Sequence, residues 1–335
     1  MIGIAVVGYG YWGPNLVRNF STVDGARVVA VVDQRPERRQ VVEQVYPSVR
    51  TYADFSDALA DPDVDAVAIA TPVSTHFELS MAALRAGKHV LVEKPMTSTV
   101  AEGEQLVAEA AERGLTLMVD HTFIYTSAVR KIRDLVSGGQ LGDLYYYDSV
   151  RVNLGLFQHD VSVLWDLAVH DLSIMDFLLG QTPTRVAATG IAHVDGQPVN
   201  MAYLTCFFEG SLIAHFHVNW LAPVKVRQTL ICGSDRMIVF DDLEASEKVK
   251  VYDKGITLGD PDELGIQSRI GYRTGDMWAP QLDVTEALRV EATHFVDCIT
   301  SGSAPESDGE AGLRIVRILE AATTSLERQG APVEV

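Results

Sequence analysis

The residues that most constrain this chain stand at its beginning. Ile4 to Val7 is a short unbroken apolar run, the kind that forms a strand covered on both faces. It leads into Gly8-Tyr9-Gly10-Tyr11-Trp12-Gly13-Pro14-Asn15, after which Leu16, Val17 and Phe20 recur at helical spacing. Strand, G-x-G-x-x-G and helix in this order build a phosphate-binding turn. Gly8 permits the reversal, Gly10 lets the backbone approach a pyrophosphate, and Gly13 lets helix and strand pack closely. Pro14 suits the first helical turn, where no N–H is needed, and the helix N-terminus offers N–H groups and a positive dipole end. A second strand, Arg27 to Val32, ends in Asp33, 20 residues beyond Gly13. A carboxylate there accepts hydrogen bonds from an adenosine ribose and repels a 2′-phosphate, so NAD is expected. Arg35 is close enough to take a 2′-phosphate and keeps NADP open.

The alternation continues. A short helix around Phe55 and Leu59 precedes the strand Ala66–Ala70, and Thr71-Pro72-Val73-Ser74-Thr75-His76 forms the loop at its carboxyl end. Helix Phe77–Ala86 closes on Gly87, strand His89–Val92 follows, then helix Val100–Arg113 closes on Gly114 and strand Leu115–Val119 ends the series. Repeated units of this length predict a parallel, doubly wound sheet: a Rossmann α/β domain over residues 1–121. His76 has two roles open, capping its helix or touching the cofactor.

At the carboxyl end of the fourth expected strand stands Glu93-Lys94-Pro95. Proline holds the preceding lysine in an extended or turn conformation, and this end of a central strand is where ligands bind in open α/β sheets.

After Asp120 the pattern changes. A helix over Ser127–Val136 ends at Gly138-Gly139, and strands then dominate: Leu144–Val152, Arg185–His193, Met201–Phe208, Leu212–Trp220, Val226–Cys232, Met237–Phe240 and Lys248–Tyr252. Glu209-Gly210 and Gly233-Ser234-Asp235 supply hairpin turns. Helices Glu286–Thr300 and Ala311–Arg328 close the chain, so residues 122–335 are expected to form an α+β domain with a large, mostly antiparallel, open-faced sheet. In the strand Leu212–Trp220, Ser211, Ile213, His215, His217 and Asn219 share one face. Two histidines two apart could reach one metal, but no third ligand follows from the spacing, so no metal is expected. A subunit contact is the preferred use of that face, giving a homo-oligomer, dimer or tetramer.

Inside the expected helix Val163–Leu179, Asp166 and His170 lie four apart and share a face. A carboxylate so placed can fix the imidazole tautomer while the ring takes a proton near neutral pH. A plain solvated pair is the alternative.

A net charge of −18 argues against a nucleic acid or anionic membrane as partner. No apolar run is long enough to span a bilayer, and the chain opens on Ile2-Gly3-Ile4 without a basic leader. Cys206, Cys232 and Cys298 form no CxxC pair and are expected as buried thiols of a cytoplasmic protein.

The fingerprint with Asp33, Glu93-Lys94-Pro95 and Asp166-x-x-x-His170 together resemble the glucose–fructose oxidoreductase / inositol dehydrogenase / MocA (Gfo/Idh/MocA) family. Thr71-Pro72 with His76 and the closing Gly302-x-x-Pro305-x-x-Asp308-Gly309 extend the resemblance over the whole chain. It implies a dinucleotide-binding domain, an active site in the cleft between domains and an oligomerising sheet. It also implies that Lys94, Asp166 and His170 are catalytic and touch substrate, and that the Lys94–Pro95 bond is cis. The implied cofactor set is Gly8, Gly10, Tyr11, Trp12, Gly13, Asp33, Gln34, Thr71, Pro72, His76, Glu93, Lys94 and His121. The wording Gly8–Asn15, and Arg151-Val152-Asn153-Leu154-Gly155-Leu156-Phe157-Gln158 through His170-Asp171, is similar to the branch that oxidises nucleotide-linked amino sugars, the UDP-N-acetylglucosamine or UDP-N-acetylglucosaminuronate 3-dehydrogenases. Two positions depart from the family pattern: His121, at the end of the fifth expected strand, where asparagine is frequent, and Ala287, where proline is.

Hydride transfer at a ring carbon, C3 in that branch, is the implied chemistry. An acidic protein that binds a nucleotide diphosphate needs local positive charge, which makes Arg151, with Asn153, a candidate substrate contact and Tyr125 a further one. Three alternatives stay open: an NADP-dependent 3-ketosugar reductase of deoxysugar biosynthesis, an inositol or free-sugar dehydrogenase, and a non-enzymatic dinucleotide-binding redox sensor.

Overall fold

The computed structural model describes residues 1–155, 161–258 and 270–335. Leu156, Phe157 and Gln158 of the branch-like stretch lie outside the described residues.

The first compact unit comprises Met1–Thr126 and Thr285–Glu320. Its elements are β1 (Ile2–Val7), α1 (Gly13–Phe20), β2 (Ala26–Val32), α2 (Pro36–Val45), β3 (Arg50–Tyr52), α3 (Phe55–Ala60), β4 (Ala66–Ile69), α4 (His76–Arg85), β5 (His89–Glu93), α5 (Val100–Arg113) and β6 (Leu117–Asp120). All six strands pair in parallel in the order β3-β2-β1-β4-β5-β6. The order reverses between β1 and β4, so the carboxyl ends of those strands flank the crevice where a doubly wound sheet takes its ligand. The continuous apolar runs exist because both faces are covered: Ile4, Ala5, Val6, Ala66, Val67, Ala68 and Val90 are all buried. The series of strands was expected except for β3, only three residues long, and for α2, whose one buried residue is Val42. A helix that buries so little leaves a weak periodic signal.

The second compact unit comprises Ser127–Val284 and Ala321–Val335. It begins with α6 (Ser127–Ser137) and β7 (Leu144–Leu154), followed by a π-helical turn at Leu164–Ala168 and α7 (Val169–Leu179). Then come β8 (Arg185–Ile191), β9 (Met201–Phe207), β10 (Ile213–Asn219), β11 (Leu221–Gly233), β12 (Met237–Asp241), β13 (Val249–Tyr252), β14 (Gly255–Leu258), β15 (Ile270–Arg273) and β16 (Met277–Trp278). The chain closes with α8 (Ala287–Ser301), α9 (Gly309–Glu327) and β17 (Val333–Glu334). Among the described residues nine strands form one sheet in the order β16-β13-β12-β11-β7-β10-β9-β8-β17, antiparallel except where β10 runs parallel to β7. On β10 the alternation behaves as its sequence requires: Ala214, Phe216 and Val218 are buried, and Phe216 meets the Tyr147 ring at 5.6 Å. On the other face Tyr203 stacks on His215 and His217, with centroids 6.0 and 4.5 Å away.

The division of the chain differs from the expected cut at residue 121. Helix α8 and most of α9 fold with the first unit. Leu288, Ala292, Phe295 and Val296 form the buried stripe of α8, Phe295 packs edge-on to Phe20 of α1 at 6.2 Å, and Glu286 accepts both Arg18 guanidinium nitrogens at 2.7 and 2.9 Å. An apolar stripe does not name its partner, so sequence order alone assigned these helices to the wrong neighbour.

Candidate active site

The glycine turn is built as its spacing requires. Gly8 has φ +92°, and a Cβ there would lie 2.6 Å from the Ala70 carbonyl oxygen. A Cβ on Gly13 would lie 2.1 Å from the carbonyl oxygen of Gly8. Gly10 is different: a Cβ there would meet only the Arg35 guanidinium, at 3.9 Å, so the space beside it is open for a pyrophosphate. Tyr11 and Trp12 are exposed and meet edge to face at 5.7 Å. No side chain caps the N-terminus of α1, which suits an end used for anion binding.

Asp33 is buried at the end of β2. One carboxylate oxygen accepts from the Tyr9 N–H at 2.8 Å and from Arg35 Nη2 at 2.9 Å, the other from the Arg35 N–H and Nε at 2.9 and 3.0 Å. Burial alone would raise this carboxyl, but the Arg35 contacts and the two N–H groups outweigh it and hold it down at about 2. Asp33 is therefore ionised and already engaged, with half-exposed Arg35 laid across it. This arrangement weakens its repulsion of a 2′-phosphate. Gln34 is exposed, and its carbonyl accepts from Arg39 at 3.0 Å.

The loops after β4 and β5 are tied together by His76. Its Nδ1 lies 2.9 Å from the Pro95 carbonyl oxygen and its Nε2 lies 2.8 Å from that of Thr71. The ring is buried and does not cap α4, whose N-cap is Thr75 without a side-chain bond. Thr71 and Thr75 join through their hydroxyls at 2.7 Å, and Thr75 donates to the Pro72 carbonyl at 2.8 Å. Burial chiefly, with the Lys94 charge adding to it, depresses the His76 ring against the two carbonyl contacts, which raise it; a neutral ring donates to only one of the two oxygens.

Lys94 follows β5, half-buried, and its peptide bond to Pro95 is cis, as expected. Because β3 adds a strand, it stands at the end of the fifth strand rather than the fourth. Glu93 beside it is buried and accepts the Lys94 N–H at 3.3 Å. Likewise His121 follows the sixth strand, not the fifth. It is 3% exposed, and neither ring nitrogen has a hydrogen-bond partner among the described residues. Burial and then the Lys94 charge hold it neutral, its pKa pushed down to about 3. Two unmet nitrogens at the carboxyl end of a central strand, together with the open space at Gly10, fit a dinucleotide lying along this edge.

Asp166 and His170 lie in the second unit, both half-buried. Asp166 sits in the π-turn and His170 in the first turn of α7, so regular α spacing does not hold between them. The indole N–H of buried Trp220 donates to Asp166 Oδ2 at 3.0 Å and fixes that carboxylate. Trp220 was legible only as an apolar residue ending an alternating strand.

Two of the expected substrate contacts are buried and already bonded within the protein. Arg151 is 3% exposed and forms a bidentate pair with buried Asp171, at 2.8 and 2.9 Å, joining β7 to α7. A buried guanidinium needs such a partner, and the adjacent Asp171 was the missed signal. Tyr125 is 1% exposed, bonded to Ser307 Oγ at 3.0 Å and packed against His294. Asn153 is half-buried near the end of β7. Among the described residues no group of three or more His, Cys, Asp or Glu side chains is placed to hold a metal.

The comparisons with known proteins decide the family. Residues 2–121 match the Gfo/Idh/MocA oxidoreductase family with its NAD-binding Rossmann fold, and residues 129–239 match the C-terminal domain of the same family. The chain belongs to the Gfo/Idh/MocA family. As a member of it, the protein is an NAD(P)-dependent sugar oxidoreductase. It is 28% identical to the UDP-N-acetylglucosamine 3-dehydrogenase of Acidithiobacillus ferrooxidans over 93% of both chains. It is 25% identical to the NADP-dependent scyllo-inositol 2-dehydrogenase of Bacillus subtilis, over 97% of this chain and 93% of that one. A solved structure of the Acidithiobacillus enzyme superposes with a TM-score of 0.83, covering 98% of each chain at 25% identity.

Proposed function

We propose that this family member oxidises the C3 hydroxyl of a nucleotide-linked amino sugar with NAD⁺, reversibly. The observation that carries the reading is the half-buried Lys94 at the carboxyl end of β5, beside the neutral rings of His76 and His121. A cation there stabilises negative charge developing on a reacting oxygen. The 28% identity with a UDP-N-acetylglucosamine 3-dehydrogenase across 93% of both chains supports the substrate class.

Bound nicotinamide supplies the hydride acceptor, and Gly8, Gly10, Gly13 and Asp33 are the residues that would hold its dinucleotide. Lys94 donates a hydrogen bond to the carbinol oxygen and stabilises the alkoxide. His170 takes the hydroxyl proton, and Asp166, fixed by Trp220, orients the imidazole. The products are a 3-ketosugar, the reduced cofactor and one proton. The exposed Tyr203, His215 and His217 face of the nine-stranded sheet is the proposed subunit contact; light scattering that gave only monomer would contradict it.

A second reading is favoured by one observation. Arg151, the cation expected to meet a diphosphate, is buried and pairs with Asp171 through Nε and Nη2. An inositol or free sugar needs no such cation, and one relative is a scyllo-inositol 2-dehydrogenase. Following reduced nicotinamide by absorbance across UDP-N-acetylglucosamine, its uronate, myo- and scyllo-inositol separates the two. Turnover of inositols alone would discard the nucleotide sugar.

A further inference from the structure

On β7, Tyr147, Ser149 and Arg151 are buried on one face, where Arg151 bonds Asp171 of α7, the residue after His170. Asn153 continues that face two residues further on. Gly155, beyond it, marks what surrounds the carboxamide: a Cβ there would lie 2.9 Å from Asn153 Nδ2 and 2.9 Å from Trp220 Cδ1. Carboxamide and indole therefore flank one point, which a glycine leaves open. The same indole donates to Asp166 Oδ2 at 3.0 Å. Its backbone is held on both sides: the Trp220 N–H donates to the Asn200 carbonyl at 3.0 Å, and the Trp220 carbonyl accepts from the Gly155 N–H at 3.1 Å. The Asn219 side chain accepts from the N–H groups of Leu221 and Ala222 at 3.1 and 3.0 Å, which fixes the turn that follows. All of these residues belong to the second unit.

Within this framework Arg151, Asp166 and Asn219 are each engaged in hydrogen bonds, while the half-buried Asn153 carboxamide makes none among the described residues. A carboxamide presents two donors and an acceptor in one plane. In the proposed reaction Asp166 and His170 serve the carbinol at C3, so the substrate groups nearest to them are the substituents on the adjoining ring carbons. An acetamido group at C2 offers an N–H and a C=O, the complement of a carboxamide. A hydroxyl turns to suit either a donor or an acceptor, whereas an amide requires both in fixed places.

We propose that Asn153 is a specificity-determining residue that reads the acetamido group on the ring carbon next to the one oxidised. Its Nδ2 donates to the acetamido carbonyl and its Oδ1 accepts from the acetamido N–H. Gly155 is a positioning residue, because any side chain there displaces the carboxamide or the indole that holds Asp166. The proposal rests on the reading of the substrate as a nucleotide-linked amino sugar.

The test is the ratio of kcat/KM for UDP-N-acetylglucosamine over UDP-glucose, which differ only at C2. The wild type is expected to favour the acetamido sugar. Asn153→Asp keeps the size of the side chain but has no donor, so an oxygen faces the acetamido carbonyl, while a C2 hydroxyl still donates to it. The ratio is expected to fall by at least roughly tenfold. Gly155→Ala leaves the carboxamide chemically intact but moved, and is expected to lower the ratio too. A merely structural Asn153 would slow both sugars alike, so an unchanged ratio in Asn153→Asp overturns the proposal. Should that variant not fold, the ratio in Asn153→Ser decides in the same way. Failure of the substrate reading itself shows earlier, as a wild type that reduces NAD⁺ with neither UDP-sugar, and the proposal falls with it.

Discussion

At the scale of single residues, identity and position were readable while commitment was not. Gly8, Gly10 and Gly13 announce themselves because backbone conformation and close approach admit no other side chain. Arg151 shows the limit. A lone arginine before a chemical motif reads as a surface cation, and only the fold reveals that its Nε and Nη2 are bonded to Asp171. Arg151→Met is expected to destabilise the protein by about 3–5 kcal/mol, because Asp171 is left buried and unpaired. Thermal or urea unfolding measures this, and an unchanged midpoint would contradict the pairing. Asp33 and Arg35 carry the cofactor choice. Asp33→Ala frees Arg35 from its partner and removes the repulsion of a 2′-phosphate, so the ratio of kcat/KM for NADP⁺ over NAD⁺ should rise by roughly tenfold or more, on the order of one good charged contact. A ratio that stays fixed would show that Asp33 does not read the ribose.

At the scale of elements, the βα alternation was legible because parallel strands covered on both faces are uninterrupted apolar runs. The short β3 and the exposed α2 were not, since neither buries enough to leave a pattern. The expected helix at Val163–Leu179 exists, but its first turn is π-helical, which a count of four residues between Asp166 and His170 cannot reveal. The element that steadies this turn is the end of β10, through Trp220. Trp220→Phe keeps most of the buried ring and removes one hydrogen bond to a carboxylate, a loss of about 1.5–3 kcal/mol if wholly expressed in the transition state. The expected result is a fall in kcat of roughly tenfold to a hundredfold with KM little changed. A Trp220→Phe enzyme with wild-type kcat would remove Asp166 from the proposed chemistry.

At the scale of the whole molecule, sequence order misled. Residues 285–320 fold with the first unit, and among them Glu291 is fully buried. Burial pushes the Glu291 carboxyl well above its ordinary range, which has a consequence for stability. The folded state binds protons that the unfolded state releases above about pH 4.5, so each such group makes stability fall as pH rises, up to its folded pKa. The slope is about 1.4 kcal/mol per pH unit for each group. Glu291→Gln removes one of these protons. The variant should therefore match the wild type near pH 4 and exceed it increasingly as the pH rises above 5, until the folded protein gives up the proton, in a chemical denaturation series. A constant offset across that range would mean that Glu291 is ionised in the native protein.

The central claim is hydride transfer at a carbinol whose oxygen is held by Lys94. Its most direct measurement compares wild type and Lys94→Ala, each first shown to bind NAD by fluorescence titration, in NAD⁺ reduction with UDP-N-acetylglucosamine. The account predicts reduction by the wild type and a loss of at least roughly a hundredfold in kcat for the variant, with cofactor affinity retained. A variant turning over within a few-fold of wild type would contradict it.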